Sequence, residues 1–528
     1  MRTQAWLDML EDLKELHREN ERVWDMVARS KYSRRLCRLF ALLLVCQSLA
    51  LAQNDWPNVG NDKGAMRYST LTQINRQNIK NLKAVWTFHT GGLDPAVRNS
   101  AIQCTPIVID GIMYLTSPDT QVIALDAATG RELWRFDPKR GSQYRFLYNR
   151  GVAYWREARR DGAKRILLAT PDGNLYSLDA RTGKTDPHFG RAGVVDLRQG
   201  IERDLRSFVY GVTSAPALFE DLVILGFSLN EGYEGGPGDV RAFNVRTGKE
   251  VWRFRTVPGS GEFGHETWKG DSWRDRSGVN SWSGATVDAR RGLVFVGLGS
   301  ACFDFYGGDR QGNNLFANSV LALDARTGRR VWHYQLVHHD LWDYDLPYPP
   351  VLVTVRSGGR LIDAVAQITK QGFVFLFDRV NGNPLFEIVE RATPQSDVPG
   401  EQTSATQPFP VKPPAFARQG FTEDDLTNIS REAGESVRAK LKDARFGPLF
   451  TPSSLQGTVY SPGTLGGGNW SGASFDPATG SLYVNANNFP RVLKLQRTSN
   501  SAKTFEDVGL LRLTDYEGYP GVKPPWAR

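Results

Sequence analysis

Cysteine is nearly absent from this chain: its 528 residues include only Cys37, Cys46, Cys104 and Cys302. That scarcity excludes a disulfide framework and any cysteine-rich zinc or iron–sulfur site. An excess of one charge is also lacking. The 65 Lys and Arg outnumber the 57 Asp and Glu by only eight, spread along the chain, which argues against nucleic acid as a partner. Long hydrophobic runs are missing too, and the most apolar stretch, Leu39–Val45, falls short of the roughly 20 residues a membrane-spanning helix needs. What the chain does have is glycine and aromatic rings: 52 Gly, 14 Trp, 17 Tyr and 27 Phe. With few long helical patterns, that composition predicts many short strands joined by tight turns.

Residues 34–52 read as a secretory leader. Arg34, Arg35 and Arg38 precede the apolar run, and small residues at Ala50 and Ala52 place cleavage before Gln53. Met26 is an alternative start, and an uncleaved anchor is the competing reading. Val45 ahead of Cys46 is unfavourable for lipoprotein processing. The expectation is a leader over 1–52, an exported chain over 53–528 and a periplasmic location, membrane-anchored if the leader stays on.

A repeat dominates the remainder. ALDAATGRELW (from Ala124), AFNVRTGKEVW (from Ala242) and ALDARTGRRVW (from Ala322) are its clearest copies. Weaker ones are SLDARTGK at Ser177, LFDRVNGNPLF at Leu376 and SFDPATGSLY at Ser474. Each joins a strand end to an Asp or Asn, a turn closing on Gly, and a second strand. The Gly supplies the positive φ a tight hairpin requires, and the terminal Trp can pack between neighbouring repeats. The spacing of the Asp/Asn positions suits one four-stranded blade plus loops per repeat, which makes the chain an all-β, radially stacked β-propeller. Residues 421–446 read as a small helical insertion, with Thr422 and acidic Glu423–Asp425 near its start.

From about Asp55 onward the chain resembles the PQQ-dependent quinoprotein dehydrogenases, and within them the periplasmic part of the membrane-bound glucose dehydrogenase. The resemblance rests on WPNVGNDKGAMRYSTLTQIN, RGVAYW, GVNSWSGATVD and HHDLWDYDLP in order. It implies an eight-bladed propeller holding pyrroloquinoline quinone (PQQ) and Ca2+ or Mg2+. It also implies a sugar or alcohol substrate, ubiquinone or cytochrome c as electron acceptor, and peripheral membrane association. The sequence has no C-x-x-C-H, so the acceptor is expected to be a separate molecule. The family's repeats normally continue further, so the propeller is expected to be incomplete at its C-terminus. The alternative to an enzyme is then a non-catalytic or inactive truncated propeller with a binding or assembly role.

The quinone is planar and tricarboxylated; it needs cations and donors for its carboxylates, flat faces for its ring and a base for the substrate hydroxyl. By resemblance, Arg150 holds a carboxylate, Thr213 and Ser228 contribute hydroxyls, Trp282 forms the stacking floor, and Asn469 and Trp470 belong to a further contacting segment. Glu231 matches the metal-ligating glutamate, with Glu234 as a competitor. Asp343 matches the base beside the metal, and Asp340 and Asp345 are the alternatives. Lys370 matches the cation at the quinone carbonyls. Ser300 stands where alcohol dehydrogenases of the family place a metal-binding Asn, a departure shared with the glucose-type branch. The adjacent-cysteine pair of methanol dehydrogenase has no counterpart, since Tyr144 and Arg145 occupy that region. His338 and His339 are expected to be structural, and a hydrogen-bond cluster with them is the alternative reading of Asp340.

Overall fold

The computed structural model describes residues 55–97, 100–138, 148–159, 161–498 and 505–512. The expected leader over 1–52 and Tyr144–Arg145 lie outside them. The chain divides into two compact units, Met1–Asp55 with Thr70–Leu82, and Trp56–Ser69 with Lys83–Arg528. The described part of the first contains the 3-10 turn Ile79–Asn81, where the Asn75 and Asn78 side chains bond the local backbone.

The second unit is built from antiparallel meanders. Blade one is Ile107–Ile109, Ile112–Thr116, Val122–Asp126 and Glu132–Phe136. Blade two is Ala153–Arg156, Lys164–Ala169, Asn174–Asp179 and Val194–Asp196. Blade three is Ala217–Phe219, Leu222–Leu225, Val240–Asn244 and Glu250–Phe254. Blade four is Ala285–Asp288, Leu293–Gly297, Ser319–Asp324 and Arg330–Gln335. Blade five has three strands, Val351–Ser357, Arg360–Ile368 and Val374–Asp378. Its fourth is reduced to a bridge at Pro384, a residue with no N–H to extend a ladder. The sixth repeat forms the hairpin Ala473–Asp476/Ser481–Val484. Thus the last two repeats fall short of the four strands their spacing predicts. Between them run the hairpin Ile388–Ala392/Thr406–Pro410 and the helix Arg431–Lys440, N-capped by Ser430.

The repeat's logic is visible at the blade junctions. In each copy the Asp or Asn side chain accepts from the turn, as Asp324 does from Thr327 N at 2.9 Å. The closing glycines 130, 183, 248, 328, 382 and 480 all have φ between 70° and 74°. The indole of one blade lies on the turn glycine of the next. A Cβ at Gly328 would stand 2.5 Å from the Trp252 ring, and one at Gly382 would stand 2.6 Å from Trp332. The same indoles donate to the next blade's backbone, Trp252 Nε1 to Ala325 O at 3.0 Å and Trp332 Nε1 to Arg379 O at 3.1 Å. Trp134 does likewise to Ala180 O at 3.1 Å, over Gly183. Blade two has no such Trp, and Val195 with the Gly190 backbone fills the place against Gly248. In the fifth repeat Phe386 stands in the sequence position of the indole and is 39% exposed, and in the sixth nothing stands within 4 Å of a Cβ at Gly480.

The hub is crossed by Trp56–Arg67. Trp56 pairs with Val108 of blade one. Lys63 O accepts from Val287 N of blade four, Gly64 O from Leu352 N of blade five, and Met66 O from Phe475 N of blade six. Asp62 folds this segment by accepting from Gly64 N at 2.6 Å and Met66 N at 3.0 Å. Above it lies a hub cavity of about 90 Å³ whose lining includes Lys63, Ser283, Arg150 and Trp470.

Trp252→Ala removes a buried indole and a junction hydrogen bond together. It should destabilise the protein by about 3–5 kcal/mol, read as a lower urea midpoint, whereas Phe386→Ala should cost under about 1 kcal/mol.

Candidate active site

In an antiparallel meander the first strand starts at the end where the second strand finishes, so both project loops toward one mouth of the hub. Arg150, Trp282 and Trp470 each stand three residues ahead of an inner strand, those starting at Ala153, Ala285 and Ala473. Thr213 leads into the strand at Ala217, and Asp343 and Asp345 into the strand at Val351. Ser300 and Lys370 follow second strands ending at Gly297 and Ile368. Residues distant in sequence therefore share one opening.

Two groupings result. In the first, Arg150 Nη1 donates to Thr213 Oγ1 at 2.8 Å, and Thr213 and Ser228 hydroxyls lie 2.7 Å apart. The guanidinium lies 5.0 Å from the Tyr148 ring and 5.2 Å from both Trp282 and Trp470. Its Nε is buried without a hydrogen-bond partner, and among the described residues no carboxylate is within ion-pair distance. Burial pushes its pKa down. A guanidinium held among aromatic faces with no counter-charge is suited to a planar carboxylated ligand. Asn469, by contrast, turns to its own loop, donating to Leu465 O and accepting from Trp470 N.

The second grouping is acidic around one cation. Lys370 Nζ donates to Asp343 Oδ1 at 2.7 Å and Asp345 Oδ2 at 3.1 Å. Asp345 also accepts from Trp282 Nε1 at 3.1 Å and Ser300 N at 2.7 Å. Burial opposes the charge on Asp345, but Lys370 and these N–H groups outweigh it and hold the carboxyl below its usual range. Burial likewise works against the ammonium of Lys370, and Asp343 with Asp345 overcomes it, raising its pKa. Asp343 moves the other way. Burial raises it, Lys370 opposes, and Asp345, Asp304 and Glu231 add repulsion that leaves it well above the carboxylate range. Asp304, which accepts from Cys302 Sγ at 3.2 Å, is raised by burial and then by Glu231 and Asp345. Glu231, not Glu234, is thus the loop acid felt by this cluster; the Glu234 carbonyl serves Asn230 instead.

Asp340 is buried and engaged elsewhere. It accepts from Ser300 Oγ, Trp342 N at 3.1 Å, Tyr344 N at 2.8 Å and Asn318 Nδ2 at 3.2 Å. His338 bonds Gln335 and Glu390, and His339 bonds Glu401, so neither joins Asp340 in a cluster. Ser300 gives its hydroxyl to Asp340, which leaves the position without a free metal-binding oxygen on that side chain.

Four carboxyls around one ammonium favour an added cation, and their oxygens suit a hard divalent one. Among the described residues no three carboxylate, imidazole or thiol groups converge as a metal site. Asp343 and Glu231 would supply part of the oxygen donors of such a cation, and a bound cofactor would have to supply others. Sequence reasoning missed Tyr148 and Asp304. Tyr148 has a legible signal, standing two residues ahead of Arg150; Asp304 has none, since its loop carries no repeat.

With this geometry the chain is placed in its class, that of quinone-binding propeller dehydrogenases. A family model described as "PQQ: Glucose/ethanol/alcohol dehydrogenase, beta-propeller domain" matches residues 56–527, and the chain belongs to that family. It is 33% identical to the quinate/shikimate dehydrogenase (quinone) of Acinetobacter baylyi over 84% of this chain and 57% of the relative. It is 32% identical to the quinoprotein glucose dehydrogenase of Escherichia coli over 84% and 57%, and 31% identical to the glycerol dehydrogenase large subunit of Gluconobacter oxydans over 90% and 65%. The chain therefore spans less than two thirds of the length of these relatives. Among solved structures, the quinohemoprotein alcohol dehydrogenase of Comamonas testosteroni superposes with a TM-score of 0.61 at 28% identity, over 84% of this chain and 59% of that one.

Replacing Arg150 by Met separates binding from folding. PQQ affinity, followed by absorbance titration, should fall about 10- to 100-fold with loss of a charge-assisted contact. The melting temperature should not fall, because a buried unpaired charge is removed.

Proposed function

We propose that this chain is a periplasmic PQQ-dependent dehydrogenase of sugars, polyols or alcohols, in which Asp343 is the base. One observation supports this most strongly: of the three aspartates in HHDLWDYDLP, Asp343 is the most open and has the fewest partners among the described residues. The Asp343 side chain is 24% exposed and bonds only Lys370 among the described residues, whereas Asp345 is spent on three donors and Asp340 is 2% exposed.

Arg150 would hold a cofactor carboxylate, the Thr213–Ser228 hydroxyl pair would hydrogen-bond the cofactor, and Trp282 and Trp470 would face its ring. Glu231 and Asp343 would hold Ca2+ or Mg2+ beside it. When bound, the ortho-quinone supplies the two-electron acceptor and the cation polarises its reactive carbonyl. Asp343 takes the hydroxyl proton of the substrate at its open oxygen. Lys370, held charged by two aspartates, stabilises negative charge that develops opposite it. Asp345 orients Trp282 and Lys370 relative to one another. Relatives that act on quinate, glucose and glycerol support a hydroxylated substrate, and the quinone-linked name of one supports a membrane quinone as acceptor, with cytochrome c as the other candidate.

Dye-linked oxidation of glucose, glycerol, quinate and ethanol by PQQ- and calcium-loaded protein tests the reading. Asp343→Asn should lower kcat by about 10²–10⁴ while PQQ still binds. Asp345→Asn should weaken PQQ binding by about tenfold, through loss of a charged partner to Lys370 and Trp282. Tight PQQ binding with no turnover on any substrate would favour the non-catalytic alternative.

A further inference from the structure

The segment that carries Asp343 begins with a histidine the chemistry above does not use. His339 is 3% exposed, and its Nε2 lies 2.9 Å from Glu401 Oε1, on a side chain that is equally buried. Its Nδ1 lies 2.9 Å from Gly312 O and 3.2 Å from Asn314 Oδ1. A carbonyl oxygen only accepts, and the Asn314 amide is oriented by Arg310, which donates to its Oδ1 at 2.9 Å while Nδ2 donates to Arg310 O at 2.7 Å. Glu401 accepts from Gly307 N and from Gln402 N at 2.8 Å. Burial opposes its charge, but His339, the Gly307 N–H and Arg310 outweigh it and keep the carboxyl below its usual range. Both ring nitrogens of His339 therefore face oxygen partners on separate loops.

The contact bridges three separate loops: 307–314, 338–346 and 394–404. The middle one is strained, with His339 at φ 46° and Asp343 at φ 57°, a region non-glycine residues occupy only when their surroundings hold them there. Farther along, Trp342 Nε1 donates to Thr451 O at 2.8 Å and the Tyr344 hydroxyl donates to Pro462 O at 2.8 Å. These anchor the segment beyond Asp340. Glu401 anchors its root.

We propose that Glu401 is a positioning residue for the base. Through His339 it fixes the entry of the 338–346 segment and thereby the placement of Asp343 against Lys370. This rests on the assignment of Asp343 as base, but the clamp itself can be tested without turnover.

The experiment compares wild type, Glu401→Ala and Glu401→Gln as full chains by hydrogen exchange with mass spectrometry, PQQ titration and dye-linked kinetics. In Glu401→Ala, amide exchange over 338–346 should accelerate at least about tenfold while peptides from 463–470 and from blades one to three keep wild-type rates. PQQ affinity should stay within about threefold, and kcat should fall at least about tenfold with KM little changed. Glu401→Gln, which retains one acceptor for the ring, should lie between. Exchange that rises in every blade, or that stays at the wild-type rate over 338–346, overturns the proposal. So does an unchanged kcat in a variant whose 338–346 segment exchanges faster. If wild type turns over no substrate, the base assignment fails and the exchange pattern alone decides whether the clamp exists.

Discussion

Wherever blades meet through an indole in this chain, the ring rests on a glycine that has no side chain to hold it away. A methyl group at Gly328 or Gly382 would occupy the space of the Trp252 or Trp332 ring, so the contact permits only one separation between neighbours. The hydrogen bond from each indole to the next blade's backbone fixes the rotation as well. The active site draws on more than one sheet. Arg150 comes from blade two, Trp282 from blade four, and Asp345 with Lys370 from blade five, so the distances between these three groups depend on angles set at the perimeter.

At the centre, the Asp345 carboxylate converts that convergence into chemistry. It joins the indole N–H of Trp282, the ammonium of Lys370 and the backbone at Ser300, and so is committed to holding these groups together. Its neighbour two residues earlier has one partner among the described residues and a more open face. Two carboxylates of one short motif are thereby divided between holding and reacting by what surrounds each, as expected when environment rather than residue type sets the role.

Much of the fold could be read from the sequence because its signals are local. An Asp-x-x-Thr-Gly turn with a Trp four residues on is visible without knowing where the chain goes. The shortfall in blades five and six was less legible, since Pro384 and the departure of the chain after Val484 act through hydrogen bonding that the repeat spacing does not report. In the site, Arg150, Trp282, Asp343 and Lys370 stood out because each sits in a recognisable motif. Asp304 and Glu401 did not, because their neighbourhoods exist only after distant loops meet. Asn469 shows the opposite case: a residue in a matching motif whose side chain closes its own turn.

The strap through the hub has a consequence for how the molecule comes together. Residues 63–66 bond to positions 287, 352 and 475, separations of hundreds of residues for four consecutive amino acids. Closing loops of that length carries an entropic cost that later contacts must repay, and contacts so remote in sequence slow folding. The strap therefore belongs among the last parts to settle. Until blades four to six have formed, residues 63–66 lack the partners of these bonds, and the polypeptide stays open for longer than its many local hairpins alone would allow.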